Sequence, residues 1–327
     1  MSSLTRNLLY YMSFYFATLF LKKFIIFSGS FQNTEKYGML DLYRLGERLE
    51  NAPGGVISSR DLQRFDMEEA MIFDSHAHYD DKAFDGDRDA LLSSFPQNGI
   101  EGVVNAGADR RSVWKTLELA EQYPFVYAAV GIHPEHVGDM REEDLEWLRG
   151  LLAGARVVAV GEIGLDYYWD QTKKELQKKW FAAQLALAAE EKHPVVVHSR
   201  DAAADTLELM RSEYGKRPAC IHCFSYSREM AEEFLKLDYR IGIGGVVTFK
   251  NAKKIREVVE YLPMDRILLE TDCPYLAPEP NRGKRNSSLN LPFVIRQIAE
   301  IKGIDPQEVE EITCRNAKEF FGIGTGA

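Results

Sequence analysis

From residue 71 onward, short and continuous apolar runs rich in β-branched residues alternate with longer segments whose apolar positions recur every three or four residues. The runs are Met71–Ser75, Gly102–Ala106, Val126–Ile132, Val157–Gly161, Pro194–His198, Ala219–His222, Tyr239–Gly244 and Arg266–Glu270. Segments such as Gln171–Lys192 and Ser227–Leu237 lie between them with the period of helices that cover a sheet. Continuous apolar strands alternating with helices predict a parallel sheet buried on both faces, and eight such units in about 250 residues is the size of an α/β (β/α)8 TIM barrel. An open doubly wound sheet competes, but no glycine-rich dinucleotide loop follows the first run. Leu289–Lys302 and Pro306–Phe321 are expected to be closing helices.

Residues 1–70 follow another pattern. Leu8–Phe20 is almost wholly apolar and aromatic, Lys22 and Lys23 interrupt it, and Phe24–Phe27 resumes it. That uninterrupted span falls short of the roughly 20 residues a membrane-crossing helix needs. Membrane contact through residues 8–27, as an anchor, a signal or an amphipathic interfacial segment, is one reading. The favoured one is an N-terminal extension outside the working fold, because Met71 stands immediately before the first predicted strand. Residues 31–70, with Asn51-Ala52-Pro53-Gly54-Gly55 in the middle, read as a linker with short helical pieces. The expected organisation is an extension over 1–70 and a barrel over 71–327.

Charge changes the picture only locally. Acidic and basic side chains are equal in number over residues 1–70, so the net −10 falls entirely on the predicted barrel. An acidic body argues against broad, sequence-independent wrapping of nucleic acid, although bound cations and a few arginines suffice to hold a nucleic-acid substrate. The four cysteines, Cys220, Cys223, Cys273 and Cys314, lack the spacing of a secreted disulfide framework, which predicts reduced thiols in a cytoplasmic protein.

Candidate chemistry gathers at the ends of the runs. His76 and His78 close the first, and Glu162, His198, His222 and Asp272 stand at or just beyond the ends of others. Each histidine alone is as well explained as a satisfied polar group under a loop. Six placed alike, at the barrel end where side chains from separate strands converge, predict metal ligands. The set exceeds what one tetrahedral ion takes and matches two divalent ions sharing a carboxylate; imidazole with carboxylate suits Zn, Mn, Co or Ni, and Mg with more water in its shell. Two such ions about 3.5–4 Å apart lower the pKa of a shared water and neutralise charge on the oxygen under attack, so the reaction class is hydrolysis. Glu162 is the expected bridging ligand and Asp272 the expected proton acceptor. His133 and Arg200, with the basic loop Arg282, Lys284 and Arg285, predict contacts to an anionic substrate. Gly242, Gly244 and Gly245 either let substrate approach the backbone or make a tight turn. Cys220-Ile221-His222-Cys223 has no second cysteine pair to complete a zinc ribbon.

Six motifs in order, Phe73-Asp74-Ser75-His76-Ala77-His78, Gly131-Ile132-His133-Pro134, Gly161 to Tyr167, His198-Ser199-Arg200-Asp201-Ala202, His222-Cys223-Phe224-Ser225 and Glu270 to Leu276, resemble those of TatD-type metal-dependent deoxyribonucleases of the amidohydrolase superfamily. The resemblance runs from Met71 to about Gly322. It implies a TIM-barrel hydrolase with a two-metal, usually Mg-dependent site on the same six ligands, with a glutamate where many amidohydrolases carry a carbamylated lysine. It implies 3′–5′ exonuclease action on DNA; the expected substrate is single-stranded or frayed ends, and no stable protein partner is expected. Where family members often continue the basic loop with Asn-Glu-Pro, Asn286 is followed here by Ser287-Ser288. The alternative on the same metal pair is hydrolysis of an ester or amide, as by an aminoacyl-tRNA deacylase. A non-catalytic binding scaffold would be expected to have lost a ligand, and none of the six is missing.

Overall fold

The computed structural model describes residues 72–169 and 171–324, so the expectations for the N-terminal 70 residues lie outside it. The chain divides into two compact units, and the barrel is the one made of Met71–Ser93 and Ile100–Ala327. Its sheet has eight parallel strands in sequential order: β1 Ile72–Ala77, β2 Ile100–Ala106, β3 Val126–Val130, β4 Val157–Asp166, β5 Val195–Arg200, β6 Ala219–Ile221, β7 Arg240–Ile243 and β8 Ile267–Leu269. Helices α1 Arg88–Ser93, α2 Arg110–Gln122, α3 Glu142–Leu152, α4 Lys174–Glu191, α5 Ala203–Leu209, α6 Arg228–Leu235 and α7 Lys253–Tyr261 fall one in each gap between strands. Two further helices, α8 Leu291–Lys302 and α9 Pro306–Phe321, follow β8. This is the predicted (β/α)8 barrel.

The strand borders explain how the ligand candidates are placed. All ten positions of β4 are buried, so the strand continues past Gly161 and holds Glu162 within it rather than at its end. The β4–β5 register breaks between Val160 and Ile163, and there the Glu162 N–H donates to the carbonyl of Gly107 beyond β2 at 3.0 Å. β6 and β8 stop after three residues each, leaving His222 and Asp272 on the segments just past them. Between β8 and β1 the ring closes through the Ala77–Cys273 bridge, with His78 N–H donating to Cys273 O at 2.8 Å and Asp272 N–H to His76 O at 3.0 Å. The closing seam therefore runs between three of the ligand candidates.

Helix ends follow local chemistry. Asp109 caps α2 reciprocally with Ser112, each side chain accepting from the other residue's backbone N–H. α9 opens with an Asp305 cap and Pro306 and ends at Gly322, whose φ of 67° is left-handed. The far end of α9 packs Phe320 and Phe321 against Phe73 and Val158, near the starts of β1 and β4. Apolar packing thus fills the end of the barrel opposite the ligands. Among the described residues, no helix is long and apolar enough to cross a membrane.

Candidate metal centre

Five of the chain's seven histidines meet at the C-terminal ends of the strands. His76 and His78 leave β1 on the same face, as a period of two requires, with their Nε2 atoms 3.0 Å apart. Glu162 Oε2 lies 3.5 Å from both nitrogens, and Asp272 Oδ1 lies 3.7 Å from His76 Nε2 and 3.4 Å from His78 Nε2. The other oxygen of Glu162 faces a different set: Oε1 is 2.8 Å from His198 Nδ1, 2.6 Å from His222 Nε2 and 3.6 Å from His133 Nε2. One carboxylate therefore presents its two oxygens to two groups of nitrogens. Ligand atoms about 2.0–2.2 Å from a metal are spaced about 3 Å apart around it, and both groups have that spacing.

Hydrogen bonds on the far sides of the rings set which nitrogen offers a lone pair. His78 Nδ1 lies 2.8 Å from the carbonyl oxygen of Ala106, which can only accept, so Nδ1 carries the proton and Nε2 faces inward. His198 Nε2 donates to Asp166 Oδ2 at 3.0 Å, which turns Nδ1 toward Glu162. His133 is the opposite case. Its Nδ1 accepts from the backbone N–H of Glu135 at 3.2 Å, so the neutral ring carries its proton on Nε2 and points a donor, not a lone pair, at the site. The inward atoms are thus oxygens and imidazole nitrogens with nothing but one another to face, and they need either protons or cations between them. That donor set fits divalent metal ions.

The electrostatics agree. Burial works against charge on His78 and His198. The Asp272 and Glu162 carboxylates outweigh it for His78, and Asp166 with Glu162 for His198, pushing them up to about 10 and about 9. Burial instead brings His76 down to about 4 and His133 to about 3, both aided by neighbouring imidazoles. Glu162 is buried and Asp272 half-buried, which opposes ionisation, yet the surrounding histidines hold both below the ordinary carboxylate range.

A supporting layer fixes these groups. Asp74, fully buried within β1, accepts from Thr271 N–H at 3.0 Å, Thr271 Oγ1 at 2.7 Å and Ser288 Oγ at 2.6 Å, tying β1 to the segment that carries Asp272. Glu270 Oε1 accepts from Cys223 N–H at 2.5 Å beside His222. Cys223, Asp272 and Leu276 have φ of 46°, 55° and 53°, left-handed values that cost energy in residues other than glycine and gather here at one cavity.

That cavity, of about 1300 Å³, opens over the cluster and is lined by His78, His133, Glu162, His198, His222 and Asp272, and by Arg200. Arg200 lies exposed with its guanidinium 3.9 Å from the Tyr168 ring centre. The basic loop is elsewhere. Arg285 pairs with Asp87 at 2.5 Å, Arg282 stacks on Phe249 at 4.2 Å, Lys284 donates to Asn281 at 3.3 Å, and none of the three lines the cavity. In this structure their side chains turn to partners within the chain rather than into the cavity. The glycines within and after β7 also serve the fold: a Cβ on Gly242 would sit 2.2 Å from the Glu270 carboxylate, and one on Gly245 would sit 2.1 Å from the Leu276 carbonyl. Asp166, which orients His198, lies four residues past Glu162 at the end of the same strand, and the apolar run that stops at Gly161 gives it no role.

Comparison with known proteins agrees with this geometry. The family model described as TatD related DNase matches residues 73–322. The metal-dependent hydrolase YabD of Bacillus subtilis is 44% identical over 254 residues, spanning 77% of this chain and all of that protein. A protein of Pectobacterium parmentieri named 3′-5′ ssDNA/RNA exonuclease TatD is 34% identical, over 77% of this chain and 100% of its own. Among solved structures, the TatD homologue YjjV of Escherichia coli superposes with a TM-score of 0.73 at 32% identity, covering 77% of this chain and 98% of that one. On sequence, fold and site together, the chain belongs to the family of TatD-related DNases.

Proposed function

We propose that this chain is a metal-dependent nuclease that removes nucleotides from the 3′ ends of single-stranded or frayed DNA, with two divalent ions (Mg, Mn or Zn) held by His76, His78, Glu162, His198, His222 and Asp272. The observation that carries the reading is the two-faced Glu162, whose oxygens address separate nitrogen groups on the floor of a cavity with an arginine on its wall. The family relative named as a 3′-5′ exonuclease supports the substrate class.

These six residues would hold the ions, which when bound would lower the pKa of a coordinated water and offset charge on the phosphate. Asp272 is ionised and faces the cavity, so it accepts the proton that the attacking water gives up. His133 donates a hydrogen bond from Nε2–H to a phosphoryl oxygen, and Arg200 holds a phosphate through its guanidinium fork. Asp166 keeps His198 in the tautomer that presents Nδ1. The working unit is the stretch from Met71 onward, and the four free cysteines favour a reducing, cytoplasmic setting.

The test is Mg- or Mn-dependent digestion of one single-stranded oligonucleotide labelled at its 3′ or its 5′ end, with Asp272→Asn alongside. The reading predicts immediate loss of the 3′ label, a descending ladder on the 5′-labelled strand, and at least about a thousandfold lower rate in Asp272→Asn with the fold intact. Intact DNA with the metals demonstrably bound would turn the assignment toward ester or amide substrates.

A further inference from the structure

The large apolar side chains that the described residues leave exposed are Trp114, Tyr168, Trp169, Tyr275 and Leu276. Their placement is not scattered. Tyr168 and Trp169 follow β4, Tyr275 and Leu276 follow β8, and Trp114 stands one turn into α2, the helix after β2. With strands in sequential order around the ring, β4 and β8 are opposite one another, and the aromatic rings occupy the arc that joins them past β2. Trp114, Trp169, Tyr275 and Leu276 all line the cavity over the ligand cluster. Trp169 is 66% exposed and Tyr275 56%, a large cost in hydrated aromatic surface that folding alone does not explain.

Two of the rings are paired with positive charge, whereas the Tyr275 hydroxyl meets Asp81 Oδ2 at 3.4 Å. Arg200 lies 3.9 Å from the centre of Tyr168 and 5.5 Å from that of Trp169, and the two rings meet edge to face at 4.9 Å. Lys82, Arg88 and Arg111 line the same arc, interspersed with Asp80, Asp81 and Asp85. In a chain of net charge −10, aromatic faces interleaved with guanidinium and ammonium groups at one mouth are the surface that unpaired bases on a phosphate backbone fit: rings for the π-faces, cations for the phosphates.

We infer that this arc is a base-stacking platform on which unpaired nucleobases near the scissile bond rest, with Trp169 and Tyr275 as its two opposed stations and Arg200 clamping the intervening phosphate. The inference rests on the nuclease reading and deepens it. Stacking requires a base that is present and unpaired, and every base has a π-face. The platform therefore selects single-stranded ends over duplex and discriminates little among bases. Trp169 and Tyr275 are positioning residues here: they set the strand's register over the metal centre without touching the reacting atoms.

The test uses the full chain loaded with Mn and two oligonucleotides, a thymidine strand and the same strand with its last three nucleotides abasic. The wild-type protein is expected to show a KM roughly tenfold or more higher for the abasic tail. Trp169→Ala is expected to raise KM on the thymidine strand about tenfold with kcat within about twofold, so that the distinction between the tails collapses; Trp169→Phe restores it, because a ring of any kind stacks. Equal KM for the two tails in the wild-type protein, or an equal rise on both tails in Trp169→Ala, would overturn the inference. Quenching of tryptophan fluorescence by each strand in EDTA reads the platform without turnover. Stronger quenching by the thymidine strand, weakened in Trp169→Ala, supports it even if neither tail is digested, an outcome that would defeat the nuclease reading alone. Digestion without any dependence on bases would defeat the platform alone.

Discussion

Two of the ligand histidines, and His133 beside them, owe their orientation to a group behind the ring. His78 is aimed by the Ala106 carbonyl and His198 by Asp166, while His133 is turned the other way by the Glu135 N–H. Proton traffic follows. With no metal bound, His78 and His198 are raised to about 10 and about 9, so both are protonated at pH 7, and a cation must displace a proton from each inward nitrogen. Raised values stabilise the metal-free protein fully below the ordinary imidazole value of 6.5, and that contribution is lost as pH rises through 9 to 10. Metal affinity runs the opposite way, rising with pH across the same window. Calorimetric titration with Mn at pH 7, in two buffers of different ionisation enthalpy, is expected to show close to two protons released per site. Asp166→Asn removes the carboxylate that raises His198, so release should fall toward one. A binding heat independent of the buffer would contradict this.

The same scale shows what could be read from residue order and what could not. His76, His78, Glu162, His198, His222 and Asp272 were legible because strand ends are marked by where an apolar run stops, and a barrel brings all such ends together. For Arg282, Lys284 and Arg285 a run of charge says nothing about partners far away in sequence; Asp87, which pairs with Arg285, precedes it by almost two hundred residues. The aromatic arc is not legible in residue order because its rings come from one helix and two loops and share no period.

Among the elements, β4 carries the largest burden. It holds Glu162 where its register with β5 breaks, then pairs Gly164 with His198 and Asp166 with Arg200. Gly164 has φ of 146°, and a Cβ there would lie 1.9 Å from the His198 carbonyl oxygen, a backbone atom with no room to yield. The close approach of the two strands sets His198 against Glu162, so one methyl group at this point pushes two ligands apart. Gly164→Ala is expected to cost about 1–3 kcal/mol of stability and to lower activity well beyond what that loss explains. Thermal melts beside turnover measurements check both. An unchanged melting temperature with full activity would show that β5 can move away freely. The strand borders themselves were only partly legible, since a residue such as Glu162 interrupts an apolar run without ending the hydrogen-bonded strand that contains it.

For the whole molecule, the division of labour is axial. Phe320 and Phe321 pack near the strand starts, and the ligand cluster lies at the other end beneath a cavity. The family match begins at residue 73, one residue into β1. A chain starting at Met71 is therefore expected to be soluble, to melt within a few degrees of the full chain and to digest oligonucleotides at the same rate. An insoluble or inactive truncation would show that residues 1–70 belong to the enzyme.

Everything proposed for the chemistry depends on Glu162 serving two ions at once. The direct measurement is elemental analysis of metal content in dialysed wild-type protein and in Glu162→Ala, with folding of both followed by circular dichroism. Two metal equivalents per chain, with both reduced in folded Glu162→Ala, is the predicted result. One equivalent in the wild type, or two that survive the loss of Glu162, would contradict it.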